Sequence, residues 1–271
     1  MNRFEYAMPS TVAEAVQLLG SNEEAKLLAG GQTLLPTMKQ GLAAPELLID
    51  LNGIAEVGQL TVLDDEIRVG AMCRHAAVAG SVAIREQAPG LAELAGMIGD
   101  AQVRNRGTLG GSVANNDPAA DYPAALLALN ATVRTDRREI GSDDFFAGLF
   151  ETALEPGEVI REVSFPFCRQ SAYVKFRNPA SRFAMAGAFV AHHADGVRVA
   201  ITGAGSDGVF RWFEAEEALN EDFGEEALTG LAVDPYLMLS DLHAGAQYRA
   251  NLVAVMTRRS VKFAAARSEP E

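Results

Sequence analysis

Apolar positions Val12, Ala15, Val16 and Leu19 recur at helical spacing behind a capping box made by Thr11 and Glu14, and predict a helix that stops at Gly20. Residues 25–28 form a short apolar run broken by Gly30-Gly31, which predicts a buried strand. Residues 33–40 predict a short helix closed by Gly41, and residues 47–51 a second strand. Residues 59–63 and 66–69 flank Asp64-Asp65 and predict a hairpin. Helical spacing returns at 74–80 and 91–98, whereas 104–118 has no clear period. Residues 119–129 predict an apolar helix stopped by Asn130, and 159–165 a strand ended by Pro166. Three strands follow at 172–176, 187–192 and 196–202, the last two joined through Ala194-Asp195. Helices are expected at 213–220, 225–231 and 248–266, the last pinned by Tyr248-Arg249, with 268–271 as a frayed tail.

These elements fall into three regions, 1–55, 56–168 and 169–271, and a chain of 271 residues exceeds what one core usually organises. Hydrophobic residues make up 48% and charged residues 22%, which excludes wholesale disorder. The formal charge of −13 argues against a nucleic-acid partner. No run approaches the ~20 apolar residues of a membrane span. Residues 1–6 lack the apolar segment of a secretory signal, so the expectation is a cytoplasmic protein. Two distant cysteines, Cys73 and Cys168, and four histidines without metal-ligand spacing leave no expected protein-bound metal.

Two loops carry the candidate chemistry. Residues 28–34 read Leu28-Ala29-Gly30-Gly31-Gln32-Thr33-Leu34, and residues 107–112 read Gly107-Thr108-Leu109-Gly110-Gly111-Ser112. Paired glycines let backbone approach a ligand and turn successive N–H groups toward one anion, so a phosphate or pyrophosphate is the expected guest. No P-loop is present, and no G-x-G-x-x-G opens an early βαβ unit. The late Gly203…Gly208 match is read as an ordinary loop.

The two loops, in this order and at this separation, resemble those of the FAD-binding medium subunits of the molybdenum hydroxylases, such as aerobic carbon monoxide dehydrogenase, and are similar to the flavin domain of xanthine dehydrogenase. The likeness rests on Ala29 to Pro36 and on Val103 to Leu129, with Asn115 and Pro118-Ala119-Ala120-Asp121 included. It implies an α+β fold of the p-cresol-methylhydroxylase flavoprotein type: two α+β subdomains that hold FAD, and a C-terminal domain of a small antiparallel sheet and helices. It further implies that the backbone of 28–34 wraps the pyrophosphate, and that Thr108, Gly110, Gly111 and Ser112 meet it from the other side. Asn115 and Asp121 match positions on the polar parts of FAD; Ile98 and Ile160 match apolar positions at the flavin, and Lys175 a lysine beside it. No catalytic residue is expected in this chain. Phe210-Arg211-Trp212 departs from the Pro-Val-Arg that relatives often carry after the third-domain strands.

From the residues alone, Asp121 could instead cap the helix behind it, and Lys175 could sit solvated on a strand. The implied function is electron transfer from iron–sulfur centres of a partner, through FAD, to an external acceptor. A large molybdopterin subunit and a small 2Fe-2S subunit would be the partners, as a heterotrimer or its dimer. The alternatives are a self-contained FAD-dependent reductase of the same fold and a non-redox nucleotide-binding protein.

Overall fold

The computed structural model describes residues 2–267, so the expected tail at 268–271 lies outside the described residues. The first region comprises β1 (Glu5–Ala7), α1 (Val12–Ser21), β2 (Ala25–Leu28), α2 (Leu34–Lys39) and β3 (Leu47–Asp50). Its strands form a parallel sheet in the order β1-β3-β2. Val12 and Ala15 of α1 pack on Ala25, Leu47 and Ile49. Thr11 caps α1 by accepting from the Glu14 N–H at 3.2 Å, while the Glu14 carboxylate takes the Ser10 N–H rather than that of Thr11. The helix runs through Gly20 to Ser21, one residue past the expected stop.

The second region holds β4 (Leu60–Val62), β5 (Glu66–Gly70), α3 (His75–Gly80), α4 (Val82–Gln87), α5 (Pro89–Met97), α6 (Ala101–Arg104), α7 (Leu109–Asn115) and α8 (Tyr122–Ala128). It continues with β6 (Thr132–Thr135), β7 (Glu139–Gly141), α9 (Ser142–Phe145), β8 (Phe146–Gly148), β9 (Glu151–Thr152) and β10 (Ile160–Pro166). The expected hairpin forms as β4–β5, inside an antiparallel sheet ordered β4-β5-β10-β6-β7. Ile67, Val69, Val133, Val163 and Phe165 turn one face of this sheet into a core shared with α5 and α8. Residues 104–118 are not aperiodic coil. Leu109 and Val113, one turn apart and fully buried, seat α7 between them, and the glycines hide that period.

The third region contains β11 (Gln170–Arg177), β12 (Ala184–His193), β13 (Gly196–Thr202), β14 (Phe210–Arg211), α10 (Phe213–Glu221) and α11 (Ala246–Ala265), with strand order β11-β12-β13-β14. The expected helix at 225–231 is a single 3-10 turn, Glu225–Leu228. Phe189 and Ala191 of β12 face the core of the second region, while Ala188 and Val190 face the core under α11. A strand buried on both faces needs a continuous apolar run rather than alternation, which is what residues 184–191 supply. Arg249 pins α11 as expected. Its guanidinium donates to the carbonyls of Met185 and Gly203, both at 2.7 Å, and pairs with Asp241.

Candidate functional site

A cavity of about 620 Å³ opens between the first and second regions, with the β11–β12 loop at one end. Of the sixteen residues expected at the site, fourteen line it: residues 29–34, Ile98, Thr108, Gly110, Gly111, Ser112, Asn115, Asp121 and Ile160. Leu28 and Lys175 do not. Leu28 stands behind Gly31, and Lys175 stands behind Asp121.

The two glycine loops are built differently. In the first, Gly31 takes a left-handed φ of 70°. Among the described residues, the N–H groups of Gly30, Gly31, Gln32 and Thr33 donate to no protein acceptor. Four successive backbone donors without protein partners, on a loop that lines the cavity, fit an anionic ligand. In the second loop most donors are already used, and among the described residues only the Thr108 N–H has no protein acceptor. Leu109 donates to the Cys73 carbonyl, Gly110 to the Ala71 carbonyl, and Gly111 to the Thr108 hydroxyl. Gly110 is a glycine because a Cβ there would lie 2.8 Å from the Ala71 Cα. This loop therefore offers close approach and the Thr108 hydroxyl rather than a row of free N–H groups.

The loops touch each other. A Cβ on Gly30 would meet the Gly107 Cα at 2.7 Å, and a Cβ on Gly107 would meet the His75 Nε2 at 2.5 Å. Polar side chains that the sequence reading did not single out tie the joint. Asn52 donates to the Ala29 carbonyl, and Arg74 donates to the Arg106 carbonyl and to Asn52. Nothing in a single sequence flags Asn52, Arg74 or His75, because their partners lie 20 to 50 residues away.

Asp121 is buried and makes no capping bond to α8. Its carboxylate accepts from the Lys175 ammonium at 2.8 and 2.9 Å and from the Tyr173 hydroxyl. Burial pushes the Asp121 carboxyl up, and the Lys175 ammonium opposes that shift. The capping role and the solvated lysine are thereby both excluded. Tyr173 reaches Asp121 across Gly187, where a Cβ would lie 3.0 Å from the phenol ring. Asn115 stays half-buried on the wall, and Asp117 folds the turn by accepting from the Ala119 N–H.

The wall also carries apolar side chains, those of Ile98, Leu154, Val159, Ile160 and Phe183. Arg182, left-handed at φ 64°, joins it from the β11–β12 loop. Glu158 also reaches the wall. Its bond with Arg138 holds its carboxyl down at about 2. Free backbone donors, polar side chains and apolar side chains on the wall of a single cavity suit a dinucleotide that carries a flat ring. The late glycine motif makes no part of this wall. Gly203 instead donates to the Pro118 carbonyl and braces the turn that carries Asp121.

Cys73 and Cys168 are buried free thiols. Among the described residues no group of His, Cys, Asp and Glu could hold a metal ion, and no helix is long and apolar enough to cross a membrane.

The model of the FAD binding domain in molybdopterin dehydrogenase matches residues 2–168. The chain is 36% identical over 277 residues to the nicotine 6-hydroxylase medium subunit of Paenarthrobacter nicotinovorans, covering 97% of this chain and 98% of that one. It is 36% identical over 282 residues to the carbon monoxide dehydrogenase medium chain of Hydrogenophaga pseudoflava, covering 98% of each. Among solved structures, carbon monoxide dehydrogenase from Hydrogenophaga pseudoflava, lacking the Mo-pyranopterin moiety of its molybdenum cofactor, superposes with a TM-score of 0.89 at 35% identity and covers 98% of each chain.

Proposed function

The chain belongs to the family of FAD binding domains of molybdopterin dehydrogenases, and from that premise we propose how its residues serve the cofactor. It is an FAD-binding medium subunit of a multi-subunit molybdenum hydroxylase. Bound FAD supplies the redox chemistry, taking electrons from iron–sulfur centres of another subunit and giving them to an external acceptor.

The N–H groups of Gly30, Gly31, Gln32 and Thr33 receive the pyrophosphate, and Leu28 and Ala29 deliver that loop from β2. Thr108, Gly110, Gly111 and Ser112 form the opposing wall. Ile98, Ile160 and Leu34 exclude water from the apolar parts of the ligand. Asn115 and Asp121 face its hydroxyls, with Lys175 fixing the Asp121 carboxylate from behind. The four free N–H groups on the cavity wall carry this reading, because no other element of the fold needs them.

We divide the chain into FAD-binding subdomains at 1–55 and 56–168 and a C-terminal domain at 169–271. Its partners in this reading are a large molybdopterin subunit and a small 2Fe-2S subunit, as a heterotrimer or its dimer. Two buried free thiols suit a reducing compartment, and we assign the complex to the cytoplasm.

The test is FAD stoichiometry, read by flavin absorbance, for the chain and for Gly31→Val. A branched side chain at φ 70° is strained, and its Cβ would lie 2.8 Å from Leu35, so the cradle is re-shaped. Loss of FAD from an otherwise folded variant is the expected result. Full flavin content in that variant would refute the cradle assignment.

A further inference from the structure

His75 is a buried titratable side chain for which the reading above has no use. It opens α3, and its ring lines the cavity directly under Gly107. On its far side, Nδ1 lies 3.3 Å from the Tyr122 hydroxyl, with the two rings 5.3 Å apart. Tyr122 is fully buried, and burial raises its phenol well above the ordinary range, so it keeps its proton. Among the described residues that proton has one acceptor within reach, the His75 Nδ1. Were the bond reversed, the phenol proton would be stranded in the core, at a cost comparable to a lost hydrogen bond. Nδ1 is therefore the acceptor, and a neutral imidazole then carries its proton on Nε2.

Nε2 makes no hydrogen bond within the described residues. Nor is it sealed: the partnerless polar atoms shut inside the described residues are the Ser142 hydroxyl, the His192 Nδ1 and the Nε atoms of Arg249 and Arg258. Burial, assisted by Arg104 and Arg74, lowers His75 to about 4, so the ring is neutral at physiological pH. The second glycine loop has spent all of its N–H groups but that of Thr108 on the protein. A fixed neutral donor beside it restores what that wall lacks.

We infer that His75 is a positioning residue for the bound dinucleotide: Tyr122 locks its tautomer, and the Nε2–H is given to an acceptor oxygen of the cofactor. This rests on the assignment of FAD to the cavity. A neutral donor suits that place better than a cation would. It leaves the charge of the nearby arginines undiluted, and it cannot lose its proton as the pH rises through neutrality.

The experiment uses the full chain stripped of flavin. Imidazole ¹⁵N shifts report the tautomer of His75 without any cofactor, and flavin fluorescence quenching reports FAD affinity. His75→Asn keeps a group for Tyr122 but withdraws the donor from the cavity. His75→Gln reaches the Nε2 position. Tyr122→Phe keeps the ring and frees the proton to move to Nδ1. The expected spectrum is that of an Nε2–H imidazole. Affinity should fall ~10- to 100-fold in His75→Asn, the range for one hydrogen bond to a charged acceptor, and severalfold in Tyr122→Phe. His75→Gln should recover most of it. An Nδ1–H imidazole, or unchanged FAD affinity in His75→Asn, overturns the inference. A wild-type chain with the Nε2–H tautomer that takes up no FAD would refute the cofactor assignment, and the donor role with it.

Discussion

Asp121, Lys175 and Tyr173 show what a single residue decides here. The sequence allowed Asp121 to be a helix cap and Lys175 to be a solvated strand residue, because neither chain position reveals that the two lie 2.8 Å apart and out of water. Removing one member of a buried pair typically costs about 3–5 kcal/mol, since the other charge is left uncompensated. Lys175→Met should thus lower the melting temperature sharply, and the double change Asp121→Asn with Lys175→Met should recover much of the loss. If the double variant is as unstable as the single one, the pair is not the cause. His75 makes a separate, pH-dependent contribution. Its folded value near 4 lies below the ordinary 6.5, so between those limits the unfolded chain binds the extra proton. Stability is complete above about pH 6.5 and falls as the pH drops toward 4, by up to about 3 kcal/mol. Melting curves across that window should lose this slope in His75→Gln. Glu158, held at about 2 by Arg138, adds a second acid-labile contribution that is present above its ordinary 4.5 and lost as pH falls toward 2.

Elements with a clean period were legible in the chain. β2 and β13 fall at the expected residues, and β12 announces itself through an unbroken apolar run. Elements that a few side chains define were not. β6 and β7 together turn only two apolar side chains inward, Val133 and Ile140, beside the polar Thr135, with Arg134 and Glu139 outward, which is too few for a period to show. α7 escaped because Gly110, Gly111 and Ser112 occupy the middle of its period. Both glycine loops were visible as sequence, but their unequal use was not. Which N–H groups remain free depends on Cys73 and Ala71, more than thirty residues upstream. That inequality is testable. Thr108→Val deletes the hydroxyl that caps α7 through Gly111, and losing such a cap typically costs about 1 kcal/mol. A modest drop in melting temperature is expected together with weaker FAD binding, because the hydroxyl also faces the cavity. Thr108→Ser should restore both, and a serine variant that melts like the valine one would argue against the cap.

The molecule as a whole is a holder of a cofactor whose electrons come from elsewhere. Cys73 and Cys168 are both buried free thiols, and among the described residues no cluster can bind iron. The isolated chain, loaded with FAD, should therefore stay oxidised when offered a molybdenum-hydroxylase substrate without oxygen, and bleach only once the companion subunits are added. Substrate-dependent bleaching by the chain alone would overturn its role as one link of a relay. The pairing of β5 with β10 has a further consequence, for how the protein is made. Val69 meets Val163 at the centre of the second sheet, and β10 also carries Ile160 to the wall of the cavity. Long-range pairings of this kind close late, because the entropy of the intervening loop must be lost first. A nascent chain that has passed both glycine loops still lacks the strand that brings Ile160 to the cavity wall. Uptake of flavin must consequently wait until synthesis has passed residue 166, and a ribosome stalled before that point should hold a colourless chain.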